Sequence, residues 1–276
     1  MSKEDFGGGS LLIAWQLKGK NVLIIGGGEV ASQRIASILV TDAHITVISP
    51  IEGLNPRTKQ LIESYAHRIT HYNRVFFGTA DFEGMDMILT ALDDVEISRA
   101  ICQMSRAAKI PVNAADIPDS CDFYFGSQIR DGPLQIMIST NGNGPKMANL
   151  IRRKVEKALT GIEGEAIAKV GELRERLKVR APGVGGAIGK RRMKWMTNLC
   201  NAWTLEDLVL LDGETMEKLL DEGWENDCVP SPATLGSRQQ SSINGIFPRW
   251  GTAYAPTIGL VVGVLCATLV IISKRR

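Results

Sequence analysis

From Asn21 onward, short apolar runs alternate with longer segments whose apolar residues recur at helical spacing. The runs NVLIIGG, HITVIS, ITHY, MDMILTA and IPVNAA read as strands. EVASQRIASILV, RTKQLIESYAHR and DVEISRAICQMSRAA, between them, read as amphipathic helices. Strand and helix in regular alternation predict a parallel, doubly wound sheet. Asp93 and Asp94, just before the third helix, are both read as candidates for its N-cap. A strand PLQIMIST, the turn NGNGP and a helix KMANLIRRKVEKALTGI follow, with Pro145 in the first turn where a missing N–H costs nothing.

Beyond this point the period is helical throughout. EAIAKVGELRERLKV, GKRRMKWMTNLCNAW and TLEDLVLLDGETMEKLLDEG predict three helices, with RAPGVGGAIG as the break between the first two. The expected organisation is a nucleotide-binding domain over 1–115, a strand and long connecting helix over 116–160, a helical domain over 161–224 and a polar linker over 225–252. The last segment, 253–276, contains the apolar run TIGLVVGVLCATLVII closed by Lys274, Arg275 and Arg276, which predicts a C-terminal transmembrane helix. The fold class expected is therefore a Rossmann-like α/β sheet, a helical domain and a tail anchor. The catalytic part would lie on the cytosolic face of an intracellular membrane.

Composition narrows the function. Lys and Arg number 32 against 30 Asp and Glu, and without a long block of one sign a nucleic-acid partner is not expected. The cysteines number 5, an odd count without a C-x-x-C pair, so neither a disulfide framework nor a zinc ribbon is predicted.

Gly26-x-Gly28-x-x-Ala31 stands directly after an apolar strand and directly before a helix. In that context glycines let the backbone approach a pyrophosphate, and the helix N-terminus offers it free N–H groups. The acid expected at the end of the second strand to hold a ribose is missing; Ser49 and Pro50 stand there. With no Arg in its place either, NAD is a better fit than NADP.

Proton-handling groups are few. The chain has 3 histidines. His67 and His71 fall across the junction of a helix and a strand and are read as surface residues rather than metal ligands. Tyr-x-x-x-Lys, H-E-x-x-H and G-x-S-x-G are all absent, leaving carboxylates. Asp116 ends PVNAAD at the edge where doubly wound sheets bind their ligands. Its position alone suits a turn ahead of Ile117-Pro118 slightly better. Asp119 and Asp122 read as turn residues.

Taken together, VLIIGGGEVASQR, TVISP, ILTALDD, VNAADIPDSCDFYFGS and IMISTNGNGPKMANLIRRKVE resemble the precorrin-2 dehydrogenase and sirohydrochlorin ferrochelatase family, of the fungal bifunctional type. The resemblance is densest from Lys18 to Leu159. It implies NAD-dependent oxidation of precorrin-2 to sirohydrochlorin, followed by insertion of ferrous iron to give siroheme, in a homodimer. It further implies that Gly26, Gly28, Glu29 and Val30 surround the pyrophosphate, that Ser49, Pro50 and Ile51 lie by the ribose, and that Leu92 borders the cofactor. Asp116 is implied as the catalytic residue of both steps and a transient iron ligand, with Asn113 facing the macrocycle.

The family's usual Ser-Pro before the long helix is Gly144-Pro145 here, and Asn149 stands where an Arg is common. The resemblance then implies that some of the contact to the substrate's carboxylates moves to Lys146, Arg152 or Arg153. Two alternatives stay open: a dehydrogenase without chelatase activity, and an NAD-binding sensor tethered to a membrane.

Overall fold

The computed structural model describes residues 9–235. The chain separates into two compact units, Met1–Val229 and Pro230–Arg276. Of the second only 230–235 are described, a short turn in which the Thr234 N–H donates to the Ser231 carbonyl.

In the first unit, β1 (Asn21–Ile25), β2 (His44–Ile48), β3 (Ile69–Tyr72), β4 (Met87–Thr90) and β5 (Val112–Ala114) form one parallel sheet in the order β3-β2-β1-β4-β5. Both faces of β1 are covered, as its unbroken apolar run requires. Val22 and Ile24 point into a cluster with Ala31, Ile35 and Ile38 of α1 (Glu29–Leu39), and Leu23 and Ile25 point into a second cluster with Ile101 of α3 (Val95–Ala107). β3 is the half-exposed edge, which is why its sequence alternates rather than running apolar.

Caps set where the helices start. The Asn55 side chain accepts from Thr58 N at 2.7 Å with Pro56 in the first turn of α2 (Pro56–Ser64), and Asp94 accepts from Ile97 N at 2.9 Å at the head of α3. Of the two candidates read from sequence, Asp93 and Asp94, the second is the cap.

The next segment was only half foreseen. A strand β6 (Ser127–Asp131) pairs antiparallel with β7 (Leu134–Ile138) through a two-residue turn in which Gly132 has φ +52°. β6 escaped the apolar pattern because Ile129 is its one buried residue; the Asp-Gly pair ahead of the next strand was the signal that marked it. α4 (Pro145–Ala158) packs on this hairpin.

α5 (Glu163–Arg180) and α6 (Gly186–Ala202) follow as predicted. The third predicted helix is broken. Thr204 and Asp207 form a capping box on α7 (Leu205–Val209), and Asp212 accepts from Thr215 N at 2.8 Å to start α8 (Gly213–Lys218). A wide turn over Leu219–Trp224 completes it. Trp224 meets Trp195 edge to face at 6.1 Å and carries the Arg191 guanidinium 4.0 Å above its ring. Arg192 donates to Gly183 O at 2.6 Å. The basic run Lys190–Arg192 thus gives two of its three charges to holding the helical region together.

The transmembrane helix is corrected. Among the described residues no helix is long and apolar enough to cross a membrane, and the segment expected to form one, 253–276, lies outside them. The fold class is therefore a Rossmann-like sheet with a helical C-terminal region, and the membrane partner and membrane-face localisation are withdrawn.

Candidate active site

The carboxyl ends of β1, β2, β4 and β5 lie along one edge of the sheet. The glycine loop turns there from β1 into α1. Gly26 has φ +119° and its N–H donates to Ile48 O at 2.9 Å; a Cβ on it would lie 2.2 Å from Ala91 O. A Cβ on Gly27 would lie 2.6 Å from Ser49 Oγ and 2.7 Å from Gly53 O. Gly28 differs: nothing lies within 4 Å of where its Cβ would be, and it stands as the N-cap of α1 without a side-chain cap. The first two glycines thus close the loop against protein, while the third leaves open space before the free N–H groups of a helix.

Around it, Glu29 is exposed and accepts from Asn55 Nδ2 at 3.0 Å and from Gln33 Nε2 at 3.2 Å. Val30 is half-buried. Ser49 is buried at the end of β2, its carbonyl 2.9 Å from His71 Nε2, and Pro50 and the exposed Ile51 follow. His71 therefore serves the backbone of the β2 end. Leu92, half-buried after β4, packs on the second core cluster beside Gly26.

Asp116 lies just past β5 with φ +57°, in the left-handed region that favours glycine, and its side chain is exposed. The surrounding turn is knotted by Cys121. Its sulfur accepts from Ala114 N at 3.2 Å, and its thiol is within reach of Ala114 O at 3.2 Å and Ile117 O at 3.3 Å. Burial pushes the Cys121 thiol above its ordinary pKa, against the Ala114 N–H and the Arg34 charge. Asp122 accepts from Val112 N at 3.0 Å and from Arg106 Nε at 2.8 Å, extending the edge of β5. It is a structural residue, as its turn reading expected.

Asn113, expected to face the macrocycle, is 4 % exposed. Its amide donates to Phe123 O at 2.8 Å and to Cys121 Sγ at 3.4 Å, tethering the loop that follows Asp116; its Oδ1 has no partner. Lys146 and Arg153 are exposed on α4, and Arg152 is paired with Glu156 at 2.8 Å. Among the described residues no hydrogen bond or ion pair joins these three to Asp116. Nor do three or more His, Cys, Asp or Glu side chains gather to hold a metal.

Sequence reasoning missed Arg34. It occupies the buried-stripe spacing of α1, between Ala31 and Ile38, and its guanidinium lies 4.1 Å over the Phe125 ring. Burial lowers its pKa, partly offset by its electrostatic interactions with Cys121 and Asp116. A cation at an apolar-stripe position was the available signal.

Three family models match in tandem: putative NAD(P)-binding over residues 13–127, sirohaem biosynthesis protein central over 131–158 and sirohaem biosynthesis protein C-terminal over 162–230. Siroheme biosynthesis protein met8 of Schizosaccharomyces pombe is 46 % identical over 237 residues, 86 % of this chain and 88 % of that one. A siroheme synthase of Methylobacillus flagellatus is 34 % identical over 172 residues, 62 % of this chain but 36 % of that longer protein. Among solved structures, SirC, a precorrin-2 dehydrogenase, superposes with a TM-score of 0.55 at 22 % identity over 79 % of this chain and 100 % of that one. That last likeness establishes the fold.

Proposed function

The chain belongs to the siroheme biosynthesis protein family and is an enzyme of siroheme synthesis, and we propose that one cleft at the carboxyl edge of its sheet serves both of its reactions. These are the NAD-dependent oxidation of precorrin-2 to sirohydrochlorin and the insertion of ferrous iron into sirohydrochlorin. The observation that carries the single cleft is that the open Gly28 and the exposed Asp116 stand at the same edge, after β1 and β5, with β4 between them.

The residues fit a dinucleotide. Gly28 leaves room for a pyrophosphate that the uncapped N-terminus of α1 would receive, with Gly26 closing the loop and Glu29 and Val30 beside it. Ser49, Pro50 and Ile51 would border the ribose, and Leu92 would form the wall toward β4. NAD, when bound, supplies the two-electron acceptor.

Asp116 takes the proton that the macrocycle releases from a second, conjugated position as its oxidised carbon gives up hydride, and passes it to water, which its exposure permits. In chelation the same carboxylate accepts pyrrole N–H protons and holds the incoming iron through oxygen, a weak hold suited to passing the metal on. Lys146, Arg152 and Arg153 contribute charge toward the substrate carboxylates, brought to the cleft in a homodimer. Met147, Leu150 and Ile151 leave an exposed apolar face on α4 that suits such pairing.

The test is Asp116→Asn. It should lower dehydrogenase kcat about 100-fold or more and abolish iron insertion, assayed anaerobically with sirohydrochlorin and ferrous iron without NAD, while NAD affinity is retained. Full turnover in both assays would exclude Asp116. Loss of oxidation alone would assign chelation to other residues.

A further inference from the structure

Arg34 is costly as it stands. Its guanidinium is half-buried, stacks on Phe125, and has neither a hydrogen bond nor an ion pair to any described residue. Burying such a group is ordinarily compensated by a carboxylate or several carbonyls. Other buried or half-buried arginines here follow that rule: Arg74 is bidentate on Asp81, and Arg68 donates to Leu39 O and Ala43 O. Stacking leaves the edges of the guanidinium, where its N–H donors lie, open to a planar anion.

Its position names the anion. α1 has two flanks. At its head Glu29 is joined to Asn55 of α2, on the side of β2 where the ribose residues lie. Arg34 is on the other flank, over Phe125, in the loop that Asn113 and Cys121 tie to β5 and to the Asp116 turn. Phe125 in turn packs on Phe123 at 5.8 Å, so the platform beneath the guanidinium is itself fixed. The donors are thus held on the Asp116 side of the glycine loop rather than on the ribose side.

We propose that Arg34 is a substrate anchor: its guanidinium binds one carboxylate of the tetrapyrrole and so sets the ring in register over Asp116. The inference rests on the cleft assigned above. It adds a binding residue from α1 to the basic residues of α4, and it gives the stacked loop 121–125 a role as the platform of that residue.

The test uses the full chain and two porphyrins that undergo neither reaction without metal or reductant, one octacarboxylate and one tetracarboxylate. Binding is followed by fluorescence quenching. Arg34→Gln should weaken the octacarboxylate about tenfold or more, narrow its preference over the tetracarboxylate, and raise KM for precorrin-2 more than it lowers kcat. NAD affinity should stay within about twofold. Arg34→Lys, which keeps the charge but not the planar fork, should fall between. Wild-type octacarboxylate affinity in a folded Arg34→Gln protein overturns the proposal. So does a loss confined to NAD, which would place the guanidinium on the cofactor phosphates. Asp116→Asn, measured alongside, should lose turnover in both reactions, so failure of the Asp116 assignment shows in turnover while failure of the Arg34 assignment shows in the binding of Arg34→Gln.

Discussion

Cys121 and Ala114 are bonded in both directions: the Ala114 N–H donates to the Cys121 sulfur at 3.2 Å, and the thiol points back to the Ala114 carbonyl at 3.2 Å. The pair closes the turn that presents Asp116 from a left-handed backbone. Cys121→Ala leaves the Ala114 N–H without its partner and should cost about 1–3 kcal/mol of stability. kcat should fall while NAD affinity holds. Cys121→Ser, which can restore both bonds, should recover most of the loss; urea titration and steady-state kinetics of the two variants read this.

The glycine loop separates folding from binding. Gly26→Ala would press a Cβ to 2.2 Å from Ala91 O at φ +119° and should destabilise by about 2–4 kcal/mol. Gly28→Ala meets nothing in the protein. It should change stability by no more than about 1 kcal/mol while weakening NAD about tenfold or more. Thermal melts with and without NAD distinguish the two.

Acid stability should depend on Glu163. Partial burial pushes its pKa up, but donation from Thr160 N, Thr160 Oγ1 and Gly161 N, with its own backbone N–H, outweighs that and brings it from 4.5 to about 2. A folded-state value below the unfolded one gives stability that is fully present above about pH 4.5 and lost as pH falls toward 2. Glu163→Gln should flatten the melting temperature against pH across that window and leave neutral behaviour little changed.

Gly164 joins the hairpin to the helical region. Its N–H donates to Asp131 Oδ2 at 2.8 Å, and a Cβ on it would lie 2.2 Å from Asp131 O. Gly164→Ala should therefore part α5 from β6, costing about 2–4 kcal/mol. Hydrogen exchange should accelerate in β6 and α5 before it does in β1, whose residues are shielded on both faces.

Regular alternation of period made the sheet legible, because a strand buried on both faces must be apolar throughout. Val22 to Ile25 obey that constraint wherever they are placed. β6 and the break at Asp212 were not legible in the same way. One buried residue sets no period in β6, and a helix start decided by a single side-chain cap overrides a continuous apolar pattern. Asn113 shows the same limit at the site. The resemblance implies that it faces the macrocycle, and no local pattern marks the tether that its amide makes to Phe123 O.

The sequence by itself determined the doubly wound sheet, the nucleotide loop, Asp116 at a strand end and, through its chain of motifs, the family. Each of these depends on local spacing or residue identity. Tertiary structure alone decided that Gly28 is the open glycine, that Cys121 holds the Asp116 turn and that Arg34 faces the β5 side of the loop. Those are contacts between segments far apart in the chain, set by how helix, sheet and loop pack, and no local pattern encodes them.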